Sequence, residues 1–208
     1  MRAFNRYAKR GFTLVELMIV VAIIGVLAAL AIFGVNRYLK SAKTSEAKNA
    51  IGRMSRAASE AYDREFAQSE MLALGTTSTG VTHDLCDSST IVPTAIADVQ
   101  GKKYQPNNTG TTDFAAGTST SGWKCLRFTM DDAVYFQYRY TKNGTPLGTE
   151  SAAGAPAPLG AKFFEAGAKG DLDGDGTEFG YFTLTGYVDD KTKQLARSTQ
   201  VFLANEFE

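Results

Sequence analysis

The chain has 208 residues, enough for one core-forming domain and an additional segment. Hydrophobic residues make up 44% and charged residues 21%, an ordinary globular composition that argues against intrinsic disorder. The formal net charge is zero, so the overall charge gives no indication of a nucleic-acid-binding protein.

A basic leader precedes a long apolar stretch at the start of the chain. Residues 1–11 contain four cations and no acid, and removing them would leave four more acidic than basic residues. Residues 17–35 contain no charged or polar side chain, which is long enough for a helix that crosses a bilayer. The preceding cations predict a cytoplasmic leader and export of the rest of the chain.

Two residues beside the apolar stretch are candidates for function. Gly11 is the small residue at a plausible processing point, because a cut after it removes the leader and keeps the apolar helix. Glu16 is an acid at the edge of the stretch, where an ionisable group costs about 3 kcal/mol on insertion scales. The alternative for Glu16 is a carboxylate that simply reaches the membrane interface.

Residues 11–25, with the sequence GFTLVELMIVVAIIG, closely resemble the N-terminal motif of type IV prepilins and the related pseudopilins. The short basic leader ending in Gly11 matches that motif as well, and the resemblance is nearly complete over residues 9–31. It implies the pilin fold, in which a long N-terminal α-helix packs on a C-terminal antiparallel β-sheet.

The resemblance also implies a processing and assembly pathway. Prepilin peptidase would cut between Gly11 and Phe12 and methylate the new amino group of Phe12. Glu16 would then neutralise the Phe12 amine of a neighbouring subunit in the filament. A carboxylate and an ammonium group offset each other's desolvation when they pair in an apolar core.

One long helix is predicted from position 12 to about position 72. Its half at 12–35 would lie in the membrane or the filament core, and its half at 36–73 is amphipathic. We expect the amphipathic half to pack under a sheet, the alternative being a basic helix on a membrane surface.

Helix flexibility in related pilins is associated with a proline, and this chain has Phe33 at that position. Proline and glycine are the two residues that weaken a helix interior most. Either helix flexibility is weaker in this chain than in related pilins, or Gly25 and Gly34 supply it.

Residues 74–122 are predicted to form a loop region rich in Ser, Thr and Gly. The two cysteines of the chain are Cys86, in this region, and Cys125, just beyond it. Because an exported domain meets an oxidising compartment, a Cys86–Cys125 disulfide is predicted, which would attach the loop to the sheet. Two reduced, buried cysteines are the alternative.

Residues 123–208 are predicted to form the antiparallel sheet of a globular head. Alternating apolar residues predict strands at 123–130, 133–141, 161–165, 178–188 and 197–203. The first two would form a hairpin around Asp131 and Asp132. A long helix followed by strands is typical of the α+β class.

Asp171, Asp173 and Asp175 alternate along one loop, and Gly176 stands at the sixth position, as in a calcium loop. The twelfth position is Phe182, where an EF-hand would supply a bidentate Glu. The sequence predicts a structural calcium site that is not an EF-hand, and a plain hydrophilic loop is the alternative.

The leading hypothesis for function is a structural one: a major pilin that polymerises with copies of itself into an extracellular filament for attachment or twitching-type motility. The alternatives are a type II secretion pseudopilin and a minor pilin or adhesin. The expected partners are prepilin peptidase, the inner-membrane assembly machinery and the membrane itself. No specific nucleic acid, catalytic residue or required cofactor is predicted, because no nucleophile elbow, P-loop or dinucleotide motif occurs.

Overall fold

A computed structural model describes residues 11–64, 74–75, 83–151, 154–155 and 157–208. The described residues divide into two compact units, one ending at Lys40 and one from Ser41 to Glu208. The predicted leader, residues 1–11, lies outside the described residues except for Gly11, and the predicted helix end near position 72 also lies outside them.

Helix α1 runs from Leu14 to Asp63 and contains 50 residues. Its sequence contains no proline, and its second half is rich in alanine, the residue with the highest helix propensity. Buried positions begin at Thr44 and continue at helical spacing through Tyr62. The second half therefore contributes one apolar stripe to a core, as the amphipathic pattern predicts.

The sheet contains five antiparallel strands: β1 (Gln137–Lys142), β2 (Lys162–Gly170), β3 (Gly180–Val188), β4 (Leu195–Arg197) and β5 (Phe202–Ala204). The order is β1-β2-β3-β4, and β5 also pairs with β3. Gly186 of β3 is opposite Arg197, whereas Thr183 is opposite Phe202. The four residues between β4 and β5 thus lie opposite two residues of β3, which is a local bulge. The predicted α+β class is confirmed.

The core lies between α1 and one face of the sheet. Small and medium side chains of the helix, such as Ala47, Ile51 and Ala58, are fully buried there. The sheet contributes a row of rings that are also fully buried: Phe136, Tyr138, Tyr140, Phe164 and Phe182. Alanines on the helix permit the close approach that these large rings require.

Glycine in the sheet makes room for two of these rings. A Cβ atom on Gly170 would lie 2.3 Å from the Phe136 ring, and one on Gly186 would lie 2.4 Å from the Phe164 ring. Both distances are far below a normal van der Waals contact. These glycines are therefore required by packing.

The prediction of a strand at 123–130 is wrong, and so is the hairpin around Asp131 and Asp132. The structure has a short helix there, α2, from Gly122 to Leu126. Arg127 follows with φ of 55°, a left-handed conformation that ends the helix. Trp123 and Leu126, three positions apart, share its buried side, so helical spacing accounts for the apolar residues that suggested alternation.

The region between α1 and the sheet is held by an aromatic cluster. The ring of Trp123 lies 5.0 Å from that of Phe114 and 5.5 Å from that of Phe128, measured between centroids. The indole N–H of Trp123 donates to the carbonyl of Thr90 at 2.9 Å. Two 3₁₀ turns, Ile96–Val99 and Asp113–Ala115, are the regular elements that the structure assigns between residues 83 and 121. This segment is consequently ordered by side chains more than by secondary structure.

Candidate functional site

The first turn of α1 is closed by a reciprocal capping arrangement. The backbone N–H and the hydroxyl of Thr13 both donate to Oε2 of Glu16, each at 2.8 Å. The N–H of Glu16 donates in return to the Thr13 hydroxyl at 3.2 Å. This geometry is the capping box, which satisfies backbone donors that a helix start leaves unpaired.

Glu16 therefore has a structural role within its own chain. Thr13 was not among the predicted site residues, although Thr-x-x-Glu before an apolar run is the sequence signature of a capping box. A carboxylate offers about four acceptor sites, so the two bonds from Thr13 leave capacity for a further donor. Phe12 lies one residue before Thr13 and has 85% of its surface exposed.

The apolar half of α1 is exposed along its whole length. Every described residue from 11 to 39 is exposed, and the large apolar side chains among them have 46–85% of their surface accessible. By length and composition, α1 is the one helix in the described part of the chain that could cross a membrane. A single chain covers none of this surface, so a bilayer or a partner has to cover it.

Gly25 and Gly34 both lie inside α1, where the helix continues without a break. A Cβ atom on either residue would meet nothing within 4 Å. No packing contact in the single chain therefore requires glycine at these positions. Their role in helix flexibility stays a prediction.

The predicted disulfide is present. Cys86 and Cys125 are joined with a Cα–Cα distance of 5.9 Å, within the normal range, and both residues are buried. The bridge connects the start of the described loop segment to α2, where a strand of the sheet was predicted. It therefore fixes the start of that segment to α2, the helix that contains Trp123 of the aromatic cluster.

The aspartate loop forms the turn between β2 and β3. Oxygen atoms of Asp171, Asp173 and Asp175 lie within 4.8 Å of one another. Asp171 is buried, and its two carboxylate oxygens accept the N–H groups of Gly174 at 2.6 Å and Gly176 at 2.9 Å. Three converging carboxylates form an oxygen donor set of the kind that calcium prefers, so the residues fit the ion.

The backbone of the aspartate loop depends on glycine. Gly174 and Gly176 have φ of 77° and 72°, in the left-handed region. A side chain on Gly176 would also approach the Gln100 amide nitrogen at 3.2 Å. Gly176 at the sixth position thus permits the turn that brings the carboxylates together.

The one histidine of the chain, His83, lies beside α1. Its Nδ1 is 2.9 Å from the carbonyl oxygen of Tyr62, and because a carbonyl only accepts, Nδ1 carries the proton and donates. Its ring centroid is 5.9 Å from that of Tyr62. These contacts attach residue 83 to the end of α1.

Comparisons with known proteins give one family-model match and several curated relatives. The family model of the prokaryotic N-terminal methylation motif matches residues 6–32. Fimbrial protein EcpC of Eikenella corrodens is 47% identical over 57 residues, 27% of this chain and 37% of that protein. The type IV major pilin protein PilA of Myxococcus xanthus is 64% identical over 39 residues, 19% of this chain and 18% of that protein.

A further relative is the type IV major fimbrial protein FimA of Dichelobacter nodosus, which is 50% identical over 46 residues, 22% of this chain and 30% of that protein. The chain thus spans less than two fifths of the length of the curated relatives it matches. No solved structure matches it.

The matched segment contains Gly11, Phe12 and Glu16, with Gly11 and Phe12 just before the capped start of α1 and Glu16 in its first turn. The chain therefore carries an N-terminal methylation motif. Together with the fimbrial and pilin relatives, the motif and the α+β fold support a type IV prepilin.

Proposed function

We propose that this chain is the major structural subunit of a type IV pilus. It polymerises through its N-terminal helix into an extracellular filament that serves attachment or twitching-type motility. The observation that carries the proposal is the exposed apolar half of α1, which begins at a methylation motif and contains one carboxylate, that of Glu16.

The apolar half of α1 occupies two environments in succession. Before assembly it spans the inner membrane, with the basic leader on the cytoplasmic side. In the filament it packs against the same helix of other copies. Burying a large apolar side chain contributes about 1.5–3 kcal/mol, so either environment is strongly preferred to water.

Processing prepares the helix for assembly. Prepilin peptidase cuts between Gly11 and Phe12, both exposed and outside the helix, and methylates the Phe12 amine. Glu16 then binds the Phe12 amine of a neighbouring copy. Because the capping box leaves acceptor capacity on its carboxylate, Glu16 can bind that amine while it still caps Thr13.

Calcium is proposed as a structural ligand of the aspartate loop. Asp171, Asp173 and Asp175 would hold the ion through their carboxylate oxygens, which lie within 4.8 Å of one another. The ion would offset the repulsion among three carboxylates and stiffen the β2–β3 turn. No catalytic step is attached to it.

Mass spectrometry of fibres sheared from cells tests the proposed function. We expect this chain to dominate the fibres and to begin with N-methylated Phe12. A minor pilin would instead be scarce in the fibres, and a pseudopilin would be absent from surface fibres at native expression. Either result, or a mature chain that begins elsewhere, would contradict the proposal.

A further inference from the structure

Five cations lie in one region of the globular unit, here called the basic surface: Arg53 and Arg56 of α1, Arg64 directly after its end, Lys124 of α2, and Arg127. All except the half-buried Arg64 are exposed. Arg53 and Arg56, three positions apart, share a helix face, and Arg64 follows directly after the helix. Glu60 and Asp63, four and seven positions after Arg56, are exposed on the same face, so the surface carries five positive charges against two negative charges.

The cations converge because the helix face packs beside α2. Arg53 donates to the carbonyl of Thr129 at 3.1 Å, and its guanidinium lies 5.2 Å from the Phe128 ring centroid. Arg64 donates to the carbonyl of Cys125. Burial lowers the pKa of Arg64, and the positive charge of Arg127 lowers it further. Positive charges are therefore held close together along residues 124–129.

The aspartate loop lies at a different level along α1. The carboxylate of Glu46 accepts the N–H of Tyr135 at 3.0 Å, so the start of β1 is level with Glu46. The first residue of β1, Gln137, is paired with Lys169 of β2, which lies two residues before the loop. At the other end of the loop, β3 pairs with β5, which leads to Glu206 beside Lys48. Two independent contacts thus place the loop level with residues 44–48.

The opposite end of the sheet is level with the end of α1. The hydroxyl of Tyr62 donates at 2.7 Å to the carbonyl of Lys193, in the turn after β3. The basic surface, at helix positions 53–64, therefore lies closer to this end, and the aspartate loop lies at the other. Asp173, Asp175 and Glu178 are exposed at the loop, and together with Asp171 they outnumber the nearby Lys102 and Lys103 by two when no calcium ion is bound.

We propose that the basic surface of one copy binds the aspartate loop of a second copy in the filament. This inference rests on the proposed function and names the contact between its globular units. The basic surface and the calcium-free loop have opposite charge and lie at different levels of one chain, so calcium and the basic surface compete for the loop. Such a head-to-tail contact repeats from copy to copy without closing, as a filament requires.

The charge balance favours a second copy over a foreign polyanion. After removal of the leader, which contains four of the 22 basic residues, 18 basic residues remain against 22 acidic ones, so the positive charge of the basic surface is more than matched elsewhere in the mature chain. Contacting copies would be displaced along α1 by about 5–20 residues, or on the order of 8–30 Å at 1.5 Å per residue. Salt would weaken the contact, because its charges are exposed.

Charge reversal tests the contact in the full chain expressed in piliated cells. Arg56→Glu reverses one exposed cation of the basic surface, and we expect the yield of sheared fibres to fall about two- to five-fold. Lys191→Glu makes the same change in net charge outside the basic surface and is the matched control, expected to leave the yield unchanged. Calorimetry of each purified chain checks that the fold is intact.

A compensating reversal gives the sharper readout. Glu178→Lys alone should also lower the fibre yield, and the double variant Arg56→Glu/Glu178→Lys should recover part of it. Two results would overturn the contact: equal fibre yields for Arg56→Glu and Lys191→Glu, or a lower fibre yield for the double variant than for either single variant. Neither result would contradict polymerisation of the wild-type chain. Arg56→Glu fibres that form normally and lose only binding to heparin would overturn it in favour of a polyanion site. A wild-type chain that forms no fibres overturns the proposed function as well.

Discussion

Glu16 has two tasks that depend on different properties of its carboxyl group. Capping needs an acceptor oxygen near the Thr13 N–H, whereas binding a neighbouring amine needs a negative charge. Glutamine keeps the oxygen and loses the charge, and it is also found at this position of capping boxes. The two tasks can therefore be separated by substitution.

We expect Glu16→Ala and Glu16→Gln both to insert into the membrane normally and both to form few filaments. The reason is that each variant lacks the charge that offsets the Phe12 amine in an apolar core. Fibre yield and membrane fractionation measure the two outcomes. Near-normal piliation by Glu16→Gln would instead assign the role of Glu16 to capping alone.

Glu46 connects α1 to the sheet and is the second residue whose charge can be tested. Its Oε1 accepts the N–H of Tyr135 at 3.0 Å and the hydroxyl of Tyr138 at 2.9 Å. Burial raises the pKa of Glu46, although hydrogen bonds from Tyr135 and Tyr138 act in the opposite direction. A raised folded-state pKa means that the folded protein binds this proton more tightly than the unfolded chain does. The contribution of Glu46 to stability is therefore full at low pH and is lost as pH rises through its folded-state pKa.

We expect Glu46→Gln to remove this pH dependence and to keep an acceptor oxygen for the tyrosines. Glu46→Ala should cost about 1–3 kcal/mol, because it leaves the buried Tyr138 hydroxyl without its acceptor. Chemical unfolding of both variants between pH 4 and pH 7 measures the difference. A Glu46→Ala variant as stable as Glu46→Gln would contradict the role of these hydrogen bonds.

At the scale of elements, the disulfide is the strongest constraint on the segment between α1 and the sheet. It joins residues 39 positions apart, and closing a loop of that size stabilises a fold by about 3–4 kcal/mol in the chain-entropy description. The described part of that segment has few hydrogen-bonded elements of its own. Its order therefore depends on the bridge and on the aromatic cluster.

We expect the double variant Cys86→Ser/Cys125→Ser to lose about 3–4 kcal/mol of unfolding free energy. Guanidinium unfolding of the full chain in detergent, with and without reductant, measures it. Reductant should destabilise the wild type and leave the double variant unchanged. A wild-type chain whose unfolding free energy is the same with and without reductant would contradict the prediction.

The aspartate loop gives a prediction of its own. We expect calcium to raise the thermal midpoint of the full chain and EDTA to lower it, because an ion that binds only the folded state stabilises it. Asp173→Asn/Asp175→Asn should remove the response while the Asp171 hydrogen bonds keep the turn. An EDTA-insensitive midpoint together with no heat of calcium binding would identify a plain loop.

The sequence predicts elements well where a long pattern is decisive. Strand β3 and the apolar half of α1 follow from alternation and from an uninterrupted apolar run. Strand β2 continues to Gly170, five residues beyond the predicted strand at 161–165, and the single strand predicted at 197–203 is wrong, because β4 and β5 are separate there. The pattern around Trp123 is short, and there an aromatic cluster, a disulfide and the left-handed Arg127 decide the conformation. Those constraints join residues far apart in the chain, so no local period reveals them. The cap at Thr13 is a different case, because its Thr-x-x-Glu signature is local and can be read directly from the sequence.

At the scale of the whole molecule, the two units have different requirements. The buried core consists of residues from Ala47 onward, whereas residues 11–39 are exposed in the single chain. We expect a chain that starts at Ser41 to fold as a water-soluble monomer with its disulfide intact and to form no filaments. Calorimetry and size-exclusion chromatography test this, and aggregation of that chain would contradict the independence of its core.

The single tryptophan of the chain gives this division a practical use. Trp123 is fully buried inside the disulfide-linked segment, and the apolar half of α1 contains no indole. Its fluorescence therefore reports the packing of the globular unit alone, whether the helix is in a micelle, a bilayer or a fibre. Unfolding of the globular unit can thus be followed without an introduced label, in micelles and in fibres alike.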